Sequence, residues 1–299
     1  MDFLSVKETS KKWGLSERSV RNYCATGRIA GAKIIGKTWL IPIDAVKPSR
    51  KTEFSDLSST KLVLLNTLKN EKKNNIKGGI YHKIQIDLTY NSNHIEGSKL
   101  SHDETRYIYE TNSIGINKES INVDDIIETV NHFRCIDLII DKVNYKLTES
   151  LIKELHYILK NGTSDSNIDW FKVGDYKKIP NEVGGKETTK PENVEKEMRK
   201  LLDWYNTLDH YDLDCIIEFH YRFEAIHPFQ DGNGRVGRLI MFKECLKNGI
   251  VPFIIDEELK LFYYRGLKEW KSEKGYLKDT CLAAQDKFKK NLDYFRIKY

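Results

Sequence analysis

The 299-residue sequence predicts a mainly α protein with room for two or three domains. Apolar residues recur at three- and four-residue spacing along much of the chain, which is the helical period. Strand-like patterns are confined to residues 32–42 and 174–185. A stretch from Lys47 to Ser59, rich in Ser, Thr and Lys and holding Pro48, reads as a linker. These features divide the chain into residues 1–48, a linker at 49–59, a helical region at 60–115, a core at 116–275 and a basic helical tail at 276–299.

Ser5 to Trp13 reads as a first helix, with Ser5 and Glu8 spaced as a capping box. Gly14-Leu15 makes a tight turn, and Ser16 opens a second helix that runs to about Thr26 and is closed by Gly27. Ala32 to Pro42 follows as a hairpin around Gly36-Lys37. Helix, short turn, helix and wing is the helix-turn-helix order. Residues 3–48 resemble the small winged modules of the excisionase and MerR type.

Charge agrees with that resemblance. Residues 1–51 hold eleven Lys or Arg against Asp2, Glu8, Glu17 and Asp44, a net of +7 in a chain whose total is +5. The remainder therefore carries −2, and the basic excess is confined to the segment that would face a phosphate backbone. Arg18, Arg21 and Asn22 on the second helix are the candidate base-edge or phosphate contacts, with Lys33 and Lys37 on the wing. The competing use of such a module is protein contact or dimerisation, since fold does not fix function.

Further helices are expected over Lys61–Asn70, Asp124–Asp137, Leu151–Lys160 and Asn193–Leu208, with a solvated break at Glu71–Asn75. The five cysteines (Cys24, Cys135, Cys215, Cys245 and Cys281) show no metal-ligand spacing, and a reducing cytoplasm is the simplest reading. No signal peptide and no membrane-spanning apolar run is visible.

The most informative stretch is residues 227–238, His-Pro-Phe-Gln-Asp-Gly-Asn-Gly-Arg-Val-Gly-Arg. Pro228 disfavours an α conformation at His227, so the preceding helix should stop there. A second helix should begin near Gly234, where free N–H groups and the helix dipole favour an anion. Gly232 and Gly234 let a ligand approach the main chain. His227 is a candidate base near neutral pH, and Asp231 offers hard oxygens for Mg²⁺ held jointly with a nucleotide. Asn233, the turn amides, Arg235 and Arg238 could hold phosphate oxygens. A zinc site is not supported, because Pro228 and Gly232 break the helix that would align His227 with Asp231.

This stretch resembles the signature of the Fic family, His-x-Phe-x-Asp/Glu-Gly-Asn-Gly-Arg-x-x-Arg, with every specified position filled. The resemblance implies a Fic-type helical core and transfer of AMP from ATP to a hydroxyl side chain of a target protein. By the same resemblance His227 deprotonates the acceptor and Asp231 holds Mg²⁺. Asn233, Gly232 and Gly234 grip phosphate oxygens, and Arg235 and Arg238 stabilise the polyphosphate. Phe229 is expected to anchor the loop in the core.

Two further regions fit the resemblance. Ser92-x-x-x-Glu96-Gly97 ends a helical pattern, with Gly97 placed as its C′ residue. A carboxylate in a last helical turn opposes the dipole, so Glu96 is expected to have a cationic partner elsewhere. The segment resembles the family's inhibitory motif, which implies that Glu96 pairs with Arg238 with support from Ser92. Residues 174–185, with Tyr176, Ile179, Pro180 and Val183, read as a short exposed hairpin in the position of the family's flap, an edge that pairs with a target's main chain.

Two functions stay open at this point. One is an autoinhibited protein adenylyltransferase acting on a target or on itself, with removal of AMP as the reverse direction. The other is a DNA-binding regulator whose Fic domain serves as a nucleotide sensor. Both are compatible with a homodimer.

Overall fold

The computed structural model describes residues 3–25, 27–36, 38–48, 57–115 and 120–299, which divide into two compact units. Met1–Leu57 cluster with Glu258–Ala284, and Ser58–Glu257 cluster with Gln285–Tyr299. No described helix is long and apolar enough to cross a membrane.

In the first unit, α1 (Val6–Trp13) starts on the expected capping box. Ser5 Oγ accepts from Glu8 N, and the Glu8 carboxylate accepts from Ser5 N. Gly14, at φ 60, closes it. In α2 (Glu17–Ala25) Ser19 N donates to Ser16 Oγ, so Ser16 serves the open N-terminus as expected. The wing is β2 (Lys33–Ile35) and β3 (Thr38–Pro42), in antiparallel register with Ile35 opposite Thr38. Sequence reading misses β1 (Phe3–Ser5), which pairs with β3 and completes a sheet of order β1-β3-β2. Three residues are too short to show alternation. Val6, Leu15, Val20, Tyr23, Ile29 and Ile41 form this unit's small core.

The same unit contains α11 (Glu257–Glu269) and the first half of α12 (Gly275–Tyr294). Ser19 Oγ donates to Asp279 Oδ1 at 2.8 Å. A Cβ on Gly266 would lie 2.6 Å from Leu277 Cα, so only glycine permits this helix crossing. The expected boundary at residue 275 is therefore misplaced as a packing boundary. Residues 258–284 pack with the N-terminal module, a choice that no local pattern announces.

The second unit is built around α10 (Asn233–Lys247), which is buried on nearly every side. Around it stand α4 (Ile80–Ile95), α6 (Val123–Asp141), α7 (Glu149–Lys160), α8 (Pro191–Asn206) and α9 (Leu213–Ile226). α3 (Leu57–Lys73) and α5 (His102–Thr111) complete the described α-helices, and a short 3-10 helix covers Ser164–Asn167. Ile84, Ile136, Leu155, Phe223, Val236 and Leu239 belong to its core. Because α10 is enclosed, its charged residues need internal partners. Lys243 pairs with Glu244 at 2.7 Å, and Glu244 also accepts from the Tyr205 hydroxyl. The break expected at residues 71–75 falls only at 74–75, because α3 continues through Lys73, and Glu71 is more than solvated there. Its carboxylate accepts from Tyr81 N and so caps the start of α4, whose N-cap residue is Gly79.

Candidate active site

α9 ends where Pro228 requires it to. His227 is the C-cap, at φ 52 and ψ 62, a left-handed conformation uncommon for a residue with a Cβ. Such strain persists only where surroundings enforce it. Here the enforcing contacts are on both sides of the loop. Phe229 is fully buried and stacks on His156, with centroids 3.9 Å apart. His156 accepts from Gly174 N at Nδ1, so its Nε2 carries the proton and donates to Asp231 O at 3.1 Å. Sequence reading places Phe229 correctly and does not find His156.

Asn233 departs from expectation. Its side chain is buried, and its amide both accepts from Phe229 N at 2.8 Å and donates to Phe229 O at 2.9 Å. Both polar atoms of the side chain thus clasp the loop, and its backbone N–H is open to an anion. The first backbone bond across the turn runs from Val236 N to Gly232 O. The N–H groups of Asn233, Gly234 and Arg235 therefore lack helical acceptors, as at any helix start. Gly232, at φ 80, is the N-cap that turns them outward.

That open N-terminus already faces a carboxylate. A Cβ on Gly234 would collide with Glu96 Oε1, so Glu96 lies directly against the main chain there. Glu96 is the C-cap of α4, one residue beyond its last turn, and Gly97 follows at φ 102. Glu96 Oε1 accepts from Arg238 Nη2 at 2.7 Å. Ser92 holds the same guanidinium, through Oγ to Nε at 3.0 Å and through its carbonyl to Nη2 at 2.9 Å. The expected triad of Ser92, Glu96 and Arg238 is thus assembled.

Asp231 and Arg235 belong to a charge network that sequence reading does not reach. Asp231 Oδ2 accepts from Lys160 at 2.8 Å and from Arg235 Nη2 at 2.9 Å, while the other arm of Arg235 pairs with Glu128. Lys160 also contacts Glu128 at 2.5 Å and Asp165 at 2.8 Å. Burial would raise the Asp231 carboxyl, but Arg235 and Lys160 outweigh it and hold the group below the usual carboxylate range. Arg235 is thus mainly committed to Glu128 and Asp231.

Burial, helped by the Lys177 charge, pushes the His227 imidazole down to about 4, so it is unprotonated at neutral pH. Its Nδ1 lies 4.0 Å from Glu224 Oε2. Burial pushes the Glu224 carboxyl up to about 8. Burial also lowers His132, His156 and His220 to about 3. These four imidazoles fold neutral and take up protons only on unfolding, from about pH 6.5 downward. Glu224 acts oppositely, since its raised value stabilises the fold increasingly as pH falls from 8. The imidazoles prevail. Stability to urea is expected to fall by about 2–4 kcal/mol per pH unit between pH 6 and 5. Equal urea midpoints at pH 7, 6 and 5 would contradict this.

The flap is also redrawn. β4 (Glu182–Val183) and β5 (Lys186–Glu187) pair across Gly184-Gly185, both at positive φ as a two-residue hairpin turn requires. Ile179, Pro180 and Val183 are exposed. Tyr176 is not available to a target, because it is buried in the core beside Phe229. In the first unit Arg18, Arg21, Asn22 and Lys33 are exposed. Arg21 pairs with Glu17 at 2.6 Å, and Lys33 sits 4.3 Å over the Phe3 ring. Lys37 lies outside the described residues, as do the linker residues 49–56.

Comparison with known proteins agrees with this arrangement. The Fic/DOC family model matches residues 146–245, and a helix-turn-helix domain model matches residues 3–47. The chain is 27% identical over 215 residues to the protein adenylyltransferase Fic of Drosophila willistoni, covering 69% of this chain and 40% of that one. It is 29% identical over 189 residues to the protein adenylyltransferase fic-1 of Caenorhabditis elegans, covering 60% and 35%. It therefore spans well under half the length of these curated relatives. A Fic domain containing signaling protein from Bacteroides thetaiotaomicron superposes with a TM-score of 0.58 at 27% identity, over 77% of this chain and 90% of that one. A Fic family protein from Desulfovibrio desulfuricans, 20% identical, shares the fold with a TM-score of 0.59 over 80% of this chain and 76% of that one. The chain thus carries a Fic/DOC family domain together with an N-terminal helix-turn-helix domain.

Proposed function

We propose that this protein is an autoinhibited protein adenylyltransferase. The observation that carries the reading is the loop itself, in which an unprotonated imidazole, an ionised carboxylate and an open helix N-terminus lie within eight residues. The names of the curated relatives support the same activity. ATP is the substrate. The acceptor Ser, Thr or Tyr hydroxyl gives its proton to His227 as its oxygen bonds to the α-phosphorus. The bond from that phosphorus to the bridging oxygen breaks, and pyrophosphate leaves. The amides of Asn233 and Gly234, with Arg238, hold phosphate oxygens.

Mg²⁺ fits the donor set at Asp231, since this ion is commonly held by one or two carboxylates together with substrate phosphates. The Lys160 and Arg235 contacts both fall on Oδ2. When bound, the ion would neutralise charge on the phosphates. Glu96 is the inhibitory element, because its carboxylate occupies the anion position at Gly234 and engages Arg238. The exposed hairpin at 182–187, with Ile179 and Pro180, is the edge offered to the target strand. The free thiols suit a reducing compartment such as the cytoplasm.

The test is incubation of the Glu96→Gly protein with ATP labelled at the α-phosphate or at the γ-phosphate, alone and in lysate. Protein should take up the α-label and not the γ-label. ATP bound without α-label transfer to any protein, including the enzyme itself, would overturn the reading.

A second reading concerns the first unit, whose basic excess and exposed α2 residues support DNA binding. Arg18→Ala is expected to weaken binding and to lower the salt slope by about one unit if the contact is to phosphate. An unchanged affinity and slope would count against this assignment. A footprint that responds to ATP and survives His227→Ala would favour a nucleotide-sensing regulator over an enzyme.

A further inference from the structure

Lys177 is only 3% exposed, yet among the described residues its ammonium has no carboxylate partner. Its Nζ donates to three neutral oxygens: Asn181 Oδ1 at 2.7 Å, Thr188 Oγ1 at 2.6 Å and Ile226 O at 3.4 Å. Two of these lie at the two roots of the flap hairpin, and the third is the carbonyl immediately before His227. The backbone reinforces the connection. Lys177 N donates to Pro228 O at 2.9 Å, and Asn181 Nδ2 donates to Phe229 O at 3.1 Å. A buried cation among neutral acceptors is costly, and a neutral side chain of similar length would avoid that cost. Core packing alone therefore does not account for a lysine here.

From this geometry we propose that Lys177 is a positioning residue which clamps the flap onto the His227 turn, so that the target's seat and the base move as one body. The proposal rests on the adenylyltransferase reading for its purpose, since only a base that must meet a docked hydroxyl benefits from such coupling. The clamp also places a positive charge beside the imidazole. The groups that face His227 are Lys177 from the flap root, Glu96 from the end of α4, Asp231 from the loop and Glu224 from α9. Of these, Lys177 alone opposes a second positive charge. The burial that lowers His227 is thereby reinforced. Burial likewise pushes Lys177 down to about 8, in keeping with a cation held without a counter-ion.

The experiment uses the full chain with isotope-labelled histidine and needs no AMP transfer, so it succeeds or fails separately from the enzymatic reading. In Lys177→Met, amide exchange in residues 182–187 should accelerate about tenfold, and the His227 titration should move up by about one pH unit. Lys177→Arg should restore the titration at least in part, because it keeps the charge. Thr188→Val guards against misfolding of the first variant, since it removes one acceptor and leaves the lysine. It should accelerate exchange in the same hairpin by a few-fold. In the Glu96→Gly background, Lys177→Met should also shift the acid limb of the transfer rate to higher pH. Unchanged hairpin exchange in both Lys177→Met and Thr188→Val would overturn the clamp. An unmoved His227 titration in folded Lys177→Met would overturn its electrostatic part.

Discussion

His227→Ala, placed in the Glu96→Gly background, is expected to cut AMP transfer by about 10²–10⁴-fold, the range usual for loss of a general base. Neutral His227 is the proposed base, and its left-handed backbone is imposed by Pro228, Phe229 and the Asn233 clasp. Substitution to Ala keeps those backbone contacts, so the fold and the open start of α10 should survive. ATP affinity is accordingly expected to stay within a few-fold of the parent. Initial rates with α-labelled ATP, beside calorimetric titration with ATP, separate the two quantities. A rate within threefold of the parent would remove His227 from the chemistry. Equal losses of rate and of binding would make it a structural residue instead.

Glu96→Gly is expected to raise transfer by about 10- to 150-fold. That range corresponds to the roughly 1.5–3 kcal/mol of a hydrogen bond between charged groups, at 1.4 kcal/mol per factor of ten. The Glu96 carboxylate lies against Gly234, in the position the proposal assigns to a phosphate oxygen, and it holds Arg238 Nη2 at 2.7 Å. Ser92 keeps the guanidinium in place after Glu96 is gone, through Nε and Nη2. The freed arginine should thus be preorganised and not slack, so the gain should appear in rate and in ATP affinity together. The measurement is transfer rate against ATP concentration for wild type and variant. An unchanged rate at saturating ATP, with binding intact, would mean that Glu96 is a bystander to activity.

The legible and illegible parts of this site differ in kind. The His227 turn could be read because proline, glycine and a helix start each impose local backbone geometry. The Glu96 contact was readable because a carboxylate at a helix end opposes the dipole, and because the resemblance supplied Arg238 as a partner. Glu128, Lys160 and Lys177 could not be read. Each is an ordinary charged residue in the sequence, and only tertiary packing buries it against Asp231, Arg235 or the His227 turn. The residue type of Asn233 suggests a phosphate ligand, while its bonds to Phe229 depend on how the loop closes. Tyr176 was assigned to an exposed edge because its glycine-flanked segment suggested one, but the chain turns its ring inward beside Phe229. Ser101 and Glu104 form a capping box that opens α5, and this signal is local. Its three-residue spacing is the same as that of Ser5 and Glu8.

The bond between Ser19 and Asp279 joins residues 260 positions apart within one compact unit. It has a consequence for how the protein is made. The helix-turn-helix emerges from the ribosome well before the helices that complete its packing. At about 5–20 residues per second, the module waits on the order of ten to fifty seconds for α11 and α12. Throughout that interval Leu15, Ser16 and Ser19 lack the neighbours they have in the finished molecule. The module is therefore translated well before it can reach its final state, and a nascent chain stalled before residue 258 would carry it unfinished.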